Sequence, residues 1–514
     1  MMVGRRTTLE RKGAQAARAD EHRILVAAVA VSIVALSAAS ASAEAQRSPT
    51  PPSLPAGGES VAPSESLPDI ARVPGGWTAD SVGARARKTS FDRAAKEASL
   101  RAAEARVAAA VVAFFPRLSG LGSYTRYQDL VQPSLGTLVE PTNPVPPGPI
   151  GPATSLSAVP LTFTIPLNYW LFQATLTVPL SDYILRLSQQ HGAASRTAEA
   201  ARFDKLASEA KAYSDAKIAF YQYVKAVAQR DVLVQSMAVA AAHLQDAQNL
   251  FRVGSDSKAD VLAADANVAA AQLAVEQATE MVGVAEEELR LATHALPSEQ
   301  VSIGEDVTTP LPLDPYDVAA LKQEAATNRP EIQSLLLGAA AQDKLAAGAR
   351  AAQWPSISAF GDYVYANPSP RIFIPEEQFH GYWDAGIRVN WAINDVFSGA
   401  AAGAEQQAHA AALRAQNGQI LDAIFAEVTQ TVLASRTADS SIESSGAQLR
   451  AAEEAYRARR ELFRLGKGTS VELADAEANL FRARLAAVSA RIDQRIARVR
   501  IDHATGRDVS RRSS

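Results

Sequence analysis

Residues 462–477 read Leu-Phe-Arg-Leu-Gly-Lys-Gly-Thr-Ser-Val-Glu-Leu-Ala-Asp-Ala-Glu, and residues 250–265 read Leu-Phe-Arg-Val-Gly-Ser-Asp-Ser-Lys-Ala-Asp-Val-Leu-Ala-Ala-Asp. Gly254 aligns with Gly466, an offset of 212 that also pairs Ser257 with Thr469, Asp260 with Glu472 and Asp265 with Glu477. Ala266-Asn267 with Ala478-Asn479 and Leu273-Ala274 with Leu485-Ala486 keep the same offset, so the chain is internally duplicated. The local chemistry is that of a turn between helices. Gly254 and Gly466 supply the positive-φ position that ends one helix. Ser257 and Thr469 are N-caps for the next. Asp260 and Glu472 fall at N3, where an acid completes a capping box.

Working outward, both flanks of each turn are helical. No proline occurs from Leu180 to Leu296 or from Glu376 to Ser514, and an interior proline would cost a helix about 3 kcal/mol. The arm from Ser181 to Asn249 then spans on the order of 100 Å at 1.5 Å per residue. An ordinary globular domain has no use for such a helix; a fibre or a tube across a compartment does. Alanines 263, 264, 266, 269, 270, 271 and 274 line the returning arm, where they favour helix and allow close approach.

Further out, the apolar period changes from about 3.6 to 2. Trp383, Ala385, Ile387, Val389, Trp391 and Ile393 alternate with Asp384, Gly386, Arg388, Asn390, Ala392 and Asn394. Ser356 to Ala366 alternates likewise, and Pro368, Pro370 and Pro375 lie between the two runs, which marks a hairpin. An earlier pair, Arg117 to Tyr127 and Leu161 to Leu180, flanks a proline-rich loop from about Leu130 to Pro160. Apolar parity shifts near Phe172, which a β-bulge would explain. Length and alternation match tilted transmembrane strands, and Tyr169, Trp170, Tyr363, Tyr365, Trp383 and Trp391 suit the membrane interfaces. A soluble sandwich is the competing reading. Four strands cannot close a barrel, and an open edge in lipid leaves backbone groups unpaired. The chain must therefore oligomerise, with two copies the minimum.

The start reads as an export signal: Arg5, Arg6, Arg11, Lys12, Arg18 and Arg23, then apolar Ile24 to Leu36, then Ala41-Ser42-Ala43 before Glu44. No later segment has 18 consecutive apolar residues, so no spanning helix is expected. Residues 47–76 are rich in Pro, Gly and Ser. The expected order is signal peptide 1–43, disordered linker 44–88, first repeat 89–299, connection 300–328, second repeat 329–506 and tail 507–514. Within the repeats, strands are expected near 117–127, 161–180, 356–366 and 382–394, and helical hairpins over 181–296 and 397–505.

Composition sets the exclusions. There is no cysteine, so thiolate chemistry and a lipidated N-terminal cysteine are excluded. The seven histidines are scattered without ligand spacing, and no cofactor or metal is expected. A net charge of -4 gives no basic excess for nucleic acid. Gly120-Leu121-Gly122 lacks the third glycine and helix of a dinucleotide loop, and no nucleophile elbow or Walker loop occurs, so no enzyme is expected.

The ordered motifs resemble the TolC family of outer-membrane efflux and secretion channels. Gly466 to Glu477 and Gly254 to Asp265 resemble its turn; Asn328-Arg329-Pro330-Glu331-Ile332, Trp354-Pro355-Ser356-Ile357 and Val389 to Asp395 resemble further marks, and Ala504-Thr505-Gly506 is a weaker echo. The resemblance implies a homotrimer: a twelve-stranded barrel, four strands per chain, continued by a periplasmic helical barrel. It implies a passive exit duct for an inner-membrane pump of RND, ABC or MFS type, for drugs, metals or secreted protein. A periplasmic adaptor protein would dock on the tips, at Val253, Gly254, Leu465 and Gly466, with Ser257 and Thr469 beside them. It further implies that Asp475 and Glu472, with Asp260 as counterpart, ring the entrance, where crowded carboxylates attract cations. Some relatives latch the tip with tyrosine and arginine; Phe463 and Gly468 stand at those places. The runner-up is a periplasmic adaptor, which carries one helical hairpin rather than two.

Overall fold

The computed structural model describes residues 73–129, 136–142, 155–160, 166–255, 257–307, 309, 311–312 and 315–510. These all belong to the second of two compact units, Pro63–Ser514. The expected signal peptide and the linker before residue 73 lie outside the described residues.

The elements run α1 (Ala79–Thr89), α2 (Phe91–Val112), β1 (Arg117–Arg126), β2 (Thr137–Pro141), β3 (Leu156–Pro160), β4 (Asn168–Val178), α3 (Ser188–Arg252) and α4 (Lys258–Thr293). The second half runs α5 (Val318–Asn328), α6 (Pro330–Arg350), β5 (Ser356–Asn367), β6 (His380–Asn390), α7 (Ile393–Arg464), α8 (Ser470–Ala504) and a short α9 (Arg507–Ser510). A π-helical turn, Tyr183–Leu187, leads into α3. At 65 and 72 residues, α3 and α7 are about 98 and 108 Å long at 1.5 Å per residue. Each folds back at a glycine turn onto its shorter partner.

Two stretches depart from expectation. Disorder was expected through residue 88, yet Ala79–Thr89 is a helix with a Thr78/Ser81 capping box. The proline-rich composition stops at Pro74, and Val82 and Ala86, four residues apart on one face, are buried. Arg85 grips Glu299 through both carboxylate oxygens, at 2.5 and 2.8 Å. The second departure lies in the loop after β1, where β2 and β3 pair as an antiparallel ribbon.

The main sheet has the order β1-β4-β5-β6 with every neighbour antiparallel. Below it, the largest apolar core joins α1, α3, α4 and α8 around Phe220, Val224, Leu289 and Ile492. A second core packs α5 and α6 on α7 through Leu321, Ile332, Val428 and Val432. A third, near the turns, holds Tyr456, Phe463, Leu473 and Leu480 against Val239 and Leu250. Among the described residues, no helix is long and apolar enough to cross a membrane.

Candidate functional site

Directly paired residues in a sheet share a face, so the register sorts the wall. One face carries Leu118 and Tyr124 from β1, and Trp170, Phe172, Ala174 and Leu176 from β4. Ile357, Tyr363 and Tyr365 from β5 continue it, and so do Trp383, Ile387 and Val389 from β6. These large side chains are exposed on the single chain. The other face carries Ser119, Ser123, Thr125, Gln173, Thr175, Asp362, Asp384 and Arg388. There Gln173 donates to Asp362 at 3.0 Å, Thr175 donates to the same carboxylate, and Arg371 lies 3.8 Å from Asp384. A sheet apolar on one side and hydrogen-bonded on the other has the pattern of a barrel wall that faces lipid on one side and water on the other.

The register is continuous through Phe172, so the expected β-bulge is absent. The parity of Trp170, Phe172, Ala174 and Leu176 already holds without it. Leu171 and Tyr169 simply belong to the polar face. Tyr169 therefore departs from the expected interface set; its ring lies 6.4 Å from that of Tyr127 on the lumen side. Trp170, Tyr363, Tyr365 and Trp383 keep the apolar parity. Tyr124 packs on Trp170 at 4.4 Å and Tyr365 stacks on Phe379 at 5.0 Å near the loop end. Trp391 follows β6 at the helix end, exposed. The ten steps from Gly381, opposite Tyr365, to Trp391 cover about 33 Å of strand, or about 25 Å at a tilt near 40°. That is the height of a lipid-facing band between two aromatic girdles.

At the other end of the helices, both turns have the same geometry. Gly254 (φ 76°) and Gly466 (φ 68°) sit in the left-handed region. Ser255 donates to the Leu250 carbonyl and Gly254 to that of Phe251; Lys467 and Gly466 donate likewise to Leu462 and Phe463. Each is a Schellman motif. Ser257 and Thr469 cap the returning helices, with Asp260 and Glu472 closing capping boxes at N3. Val253 and Leu465 stand out at the very tips, exposed.

The structure separates the three expected entrance acids. Asp260 is engaged by Ser257, whose N–H and hydroxyl both donate to it. Glu472 accepts from the Thr469 N–H and pairs with Arg459 at 3.2 Å. Asp475 shares the exposed flank of α8 with Glu472 but is not drawn into the capping box. Reading the sequence missed His243, which is buried between hairpins against Glu477 and Ser470. Nearby, burial pushes the Tyr456 hydroxyl above its ordinary pKa.

The sequence model of the family described as "Outer membrane efflux protein" matches residues 82–294 and 321–507. The chain belongs to that family. Its fold is similar to the outer-membrane channel OprN, with 19% identity, a TM-score of 0.66, and coverage of 87% of this chain and 95% of that one. CusC is similar at 16% identity and a TM-score of 0.68, over 86% of this chain and 96% of that one. So is the CmeC outer membrane channel of Campylobacter jejuni, at 16% and 0.64, over 88% and 93%. No curated protein sequence matches the chain significantly. This is therefore an outer-membrane efflux protein with a periplasmic extension, and the adaptor alternative falls away. The family is one of channels, not of enzymes.

Proposed function

We propose that three copies of the chain assemble into a passive exit duct. The observation that carries this is the four-stranded sheet, with one apolar and one polar face, whose edge strands β1 and β6 are each paired on one side only among the described residues. Unpaired strand edges are not tolerated in lipid. Pairing β1 of one copy with β6 of the next closes a ring, and three copies supply twelve strands. The hairpins α3–α4 and α7–α8 then continue the ring as a helical tunnel across the periplasm. Its narrow end is formed by the tips at Gly254 and Gly466.

The tips are the docking points for a periplasmic adaptor, with Val253 and Leu465 as apolar contacts and the adaptor leading to an inner-membrane pump. Three copies of Asp475 converge at the entrance and attract cations. Glu472 and Asp260 act first as helix caps and add to the same field. The duct serves efflux of small molecules; export of whole proteins would use the same duct geometry.

The test is conductance of the detergent-extracted protein in planar bilayers, with divalent cations added from each side and Asp475→Ala in parallel. Small conductance, blocked by divalents from the periplasmic end and relieved in the variant, is expected. A monomer that needs no detergent and conducts nothing would overturn the reading.

A further inference from the structure

We propose that the apolar face of the sheet holds a phosphorylated, multiply acylated glycolipid of the outer leaflet, of lipid A type, with an acyl chain in a hollow over Gly120 and Gly122 and a phosphate on Arg126. The inference rests on the trimeric duct proposed above, which turns this face to lipid and the strand ends at Arg126 and Asn168 away from the periplasm. The hollow measures about 380 Å³. Gly120, Gly122 and Ala174 form its floor, and Phe172, Tyr363 and Tyr365 its walls. All six share the apolar parity.

Neither backbone conformation nor packing requires the two glycines. Neither has a positive φ. A Cβ at Gly120 would meet nothing within 4 Å, and one at Gly122 would meet only the Phe172 ring, at an ordinary 3.5 Å. The pairing of β1 with β4 runs through both without a bulge. Glycine weakens a strand interior, and where it marks no bulge it marks a bend or the close approach of another molecule.

Charge chooses the occupant. Among the described strand residues of this face, Arg126 alone is charged. Its Nη1 donates to the Asn168 side-chain oxygen at 3.1 Å, a neutral partner that also accepts from the Tyr124 hydroxyl at 3.0 Å. A guanidinium offers five donors in a fork that matches phosphate. Gly122 lies four residues along β1 from Arg126 and Gly120 six, about 10 and 15 Å lower at a tilt near 40°. That is acyl-chain depth beneath a headgroup phosphate. Between them, the rings of Tyr124 and Trp170 lie 4.4 Å apart, both exposed, and offer aromatic faces on which sugar rings pack. A glycerophospholipid has no sugar between its phosphate and its chains. Apolar chains gain little by moving from lipid to protein, so the hollow selects by close packing and the arginine by charge.

The test uses the detergent-purified trimer, stripped of lipid and titrated in native mass spectrometry with hexa-acylated lipid A and, separately, with dioleoylphosphatidylglycerol. Saturable binding of lipid A is expected, one molecule per chain, with weaker addition of phosphatidylglycerol that does not saturate. Arg126→Gln is expected to lower lipid A binding about tenfold or more. Gly120→Leu with Gly122→Leu fills the hollow and is expected to lower it several-fold. Gly361→Leu is the control: it shares the face, a Cβ there also meets nothing within 4 Å, and it lies outside the hollow. Its binding is expected to match the wild type. Should the double variant fail to assemble, Arg126→Gln still decides. Equal binding of the two lipids, lipid A binding unmoved by Arg126→Gln or by the filled hollow, or an equal loss in Gly361→Leu overturns the inference, while a trimer mass in the same spectra leaves the duct intact. A wild-type chain seen only as a monomer overturns the duct and the inference with it.

Discussion

Adjacent residues on β4 offer a direct test of the wall, because Gln173 and Ala174 point to opposite faces. The strand Asn168–Val178 has 11 residues, about 36 Å of chain or about 28 Å of height at a tilt near 40°. Both positions lie at the middle of the strand and, in the proposed barrel, inside the lipid-facing band. Ala174→Arg places a guanidinium on the apolar face beside Phe172 and Tyr363, where arginine at midplane costs about 2–4 kcal/mol per chain. At 1.4 kcal/mol per decade this is roughly a 30- to 700-fold shift in the folding equilibrium. Gln173→Arg places the same group on the lumen face, where Gln173 already donates to Asp362. A donor is retained and a counter-charge is at hand, so the expected change is within about 1 kcal/mol. Denaturant titration of both variants refolded into phospholipid vesicles, followed by tryptophan fluorescence and by gel mobility without heating, reads the difference. Equal destabilisation by the two arginines, or a larger effect at residue 173, would refute the assignment of faces.

Further outcomes follow from the tips and the cores. Gly466→Ala forces a Cβ into the left-handed region, at a cost of about 1–2 kcal/mol, and should show as faster hydrogen exchange confined to the turn amides. Thr469→Ala removes an N-cap and should cost about 1 kcal/mol without changing divalent block, whereas Asp475→Ala should relieve block without changing stability; comparing thermal melts with bilayer recordings separates the two. Arg85 holds the Glu299 carboxyl below the usual carboxylate range, helped by the Leu296 N–H. A carboxyl depressed on folding stabilises above its unfolded pKa, and that contribution is lost as pH falls through the lower folded value. Acid unfolding of the wild type should therefore steepen below about pH 4.3, and Glu299→Gln should flatten this limb in circular dichroism. Phe220→Ala empties the centre of the main core and should lower stability by about 3–5 kcal/mol, measured by chemical denaturation.

Much of the fold was legible because it is periodic. The turn at Gly466 is written in consecutive residues, and so is the alternation from Trp383 to Val389. The same locality explains the misreading at Phe172: Leu167, Tyr169 and Leu171 suggested a shift of parity, but the pairing of β4 with β1 and β5 decides the face. The helix Ala79–Thr89 was hidden by the proline-rich stretch before it and by a partner, Glu299, more than two hundred residues away. The entrance acids were ambiguous for a chemical reason. An acid at N3 serves a capping box and a pore alike, and sequence alone cannot weigh one against the other. His243 was illegible because its partners, Ser470 and Glu477, are brought to it only when the two hairpins pack.

The repeats share a turn but not an environment, and this is the strongest structural argument for assembly. Within one chain, α3 meets α8 and the second hairpin's tip is covered on that side, so Phe463 and Leu473 are buried. The matching flank of the first hairpin has no such cover. Along α4, Leu262, Leu273, Met281, Val284 and Leu291 are all exposed, as is Phe251 before the turn. Leu262, Leu273 and Val284 recur every 11 residues, a spacing that keeps them nearly in line along a helix. Glu276, Glu280 and Glu287 fall on the same face between them, so these exposed apolar side chains form an interrupted row rather than a wholly apolar one. Duplication supplies α7 as the element whose flank fits it. Because α7 of the same chain is engaged elsewhere, packing on α6 and α8, this row supports the proposed contact with α7 of another copy. The helical half of the molecule therefore supports the same closure that we propose for β1 and β6 in the membrane.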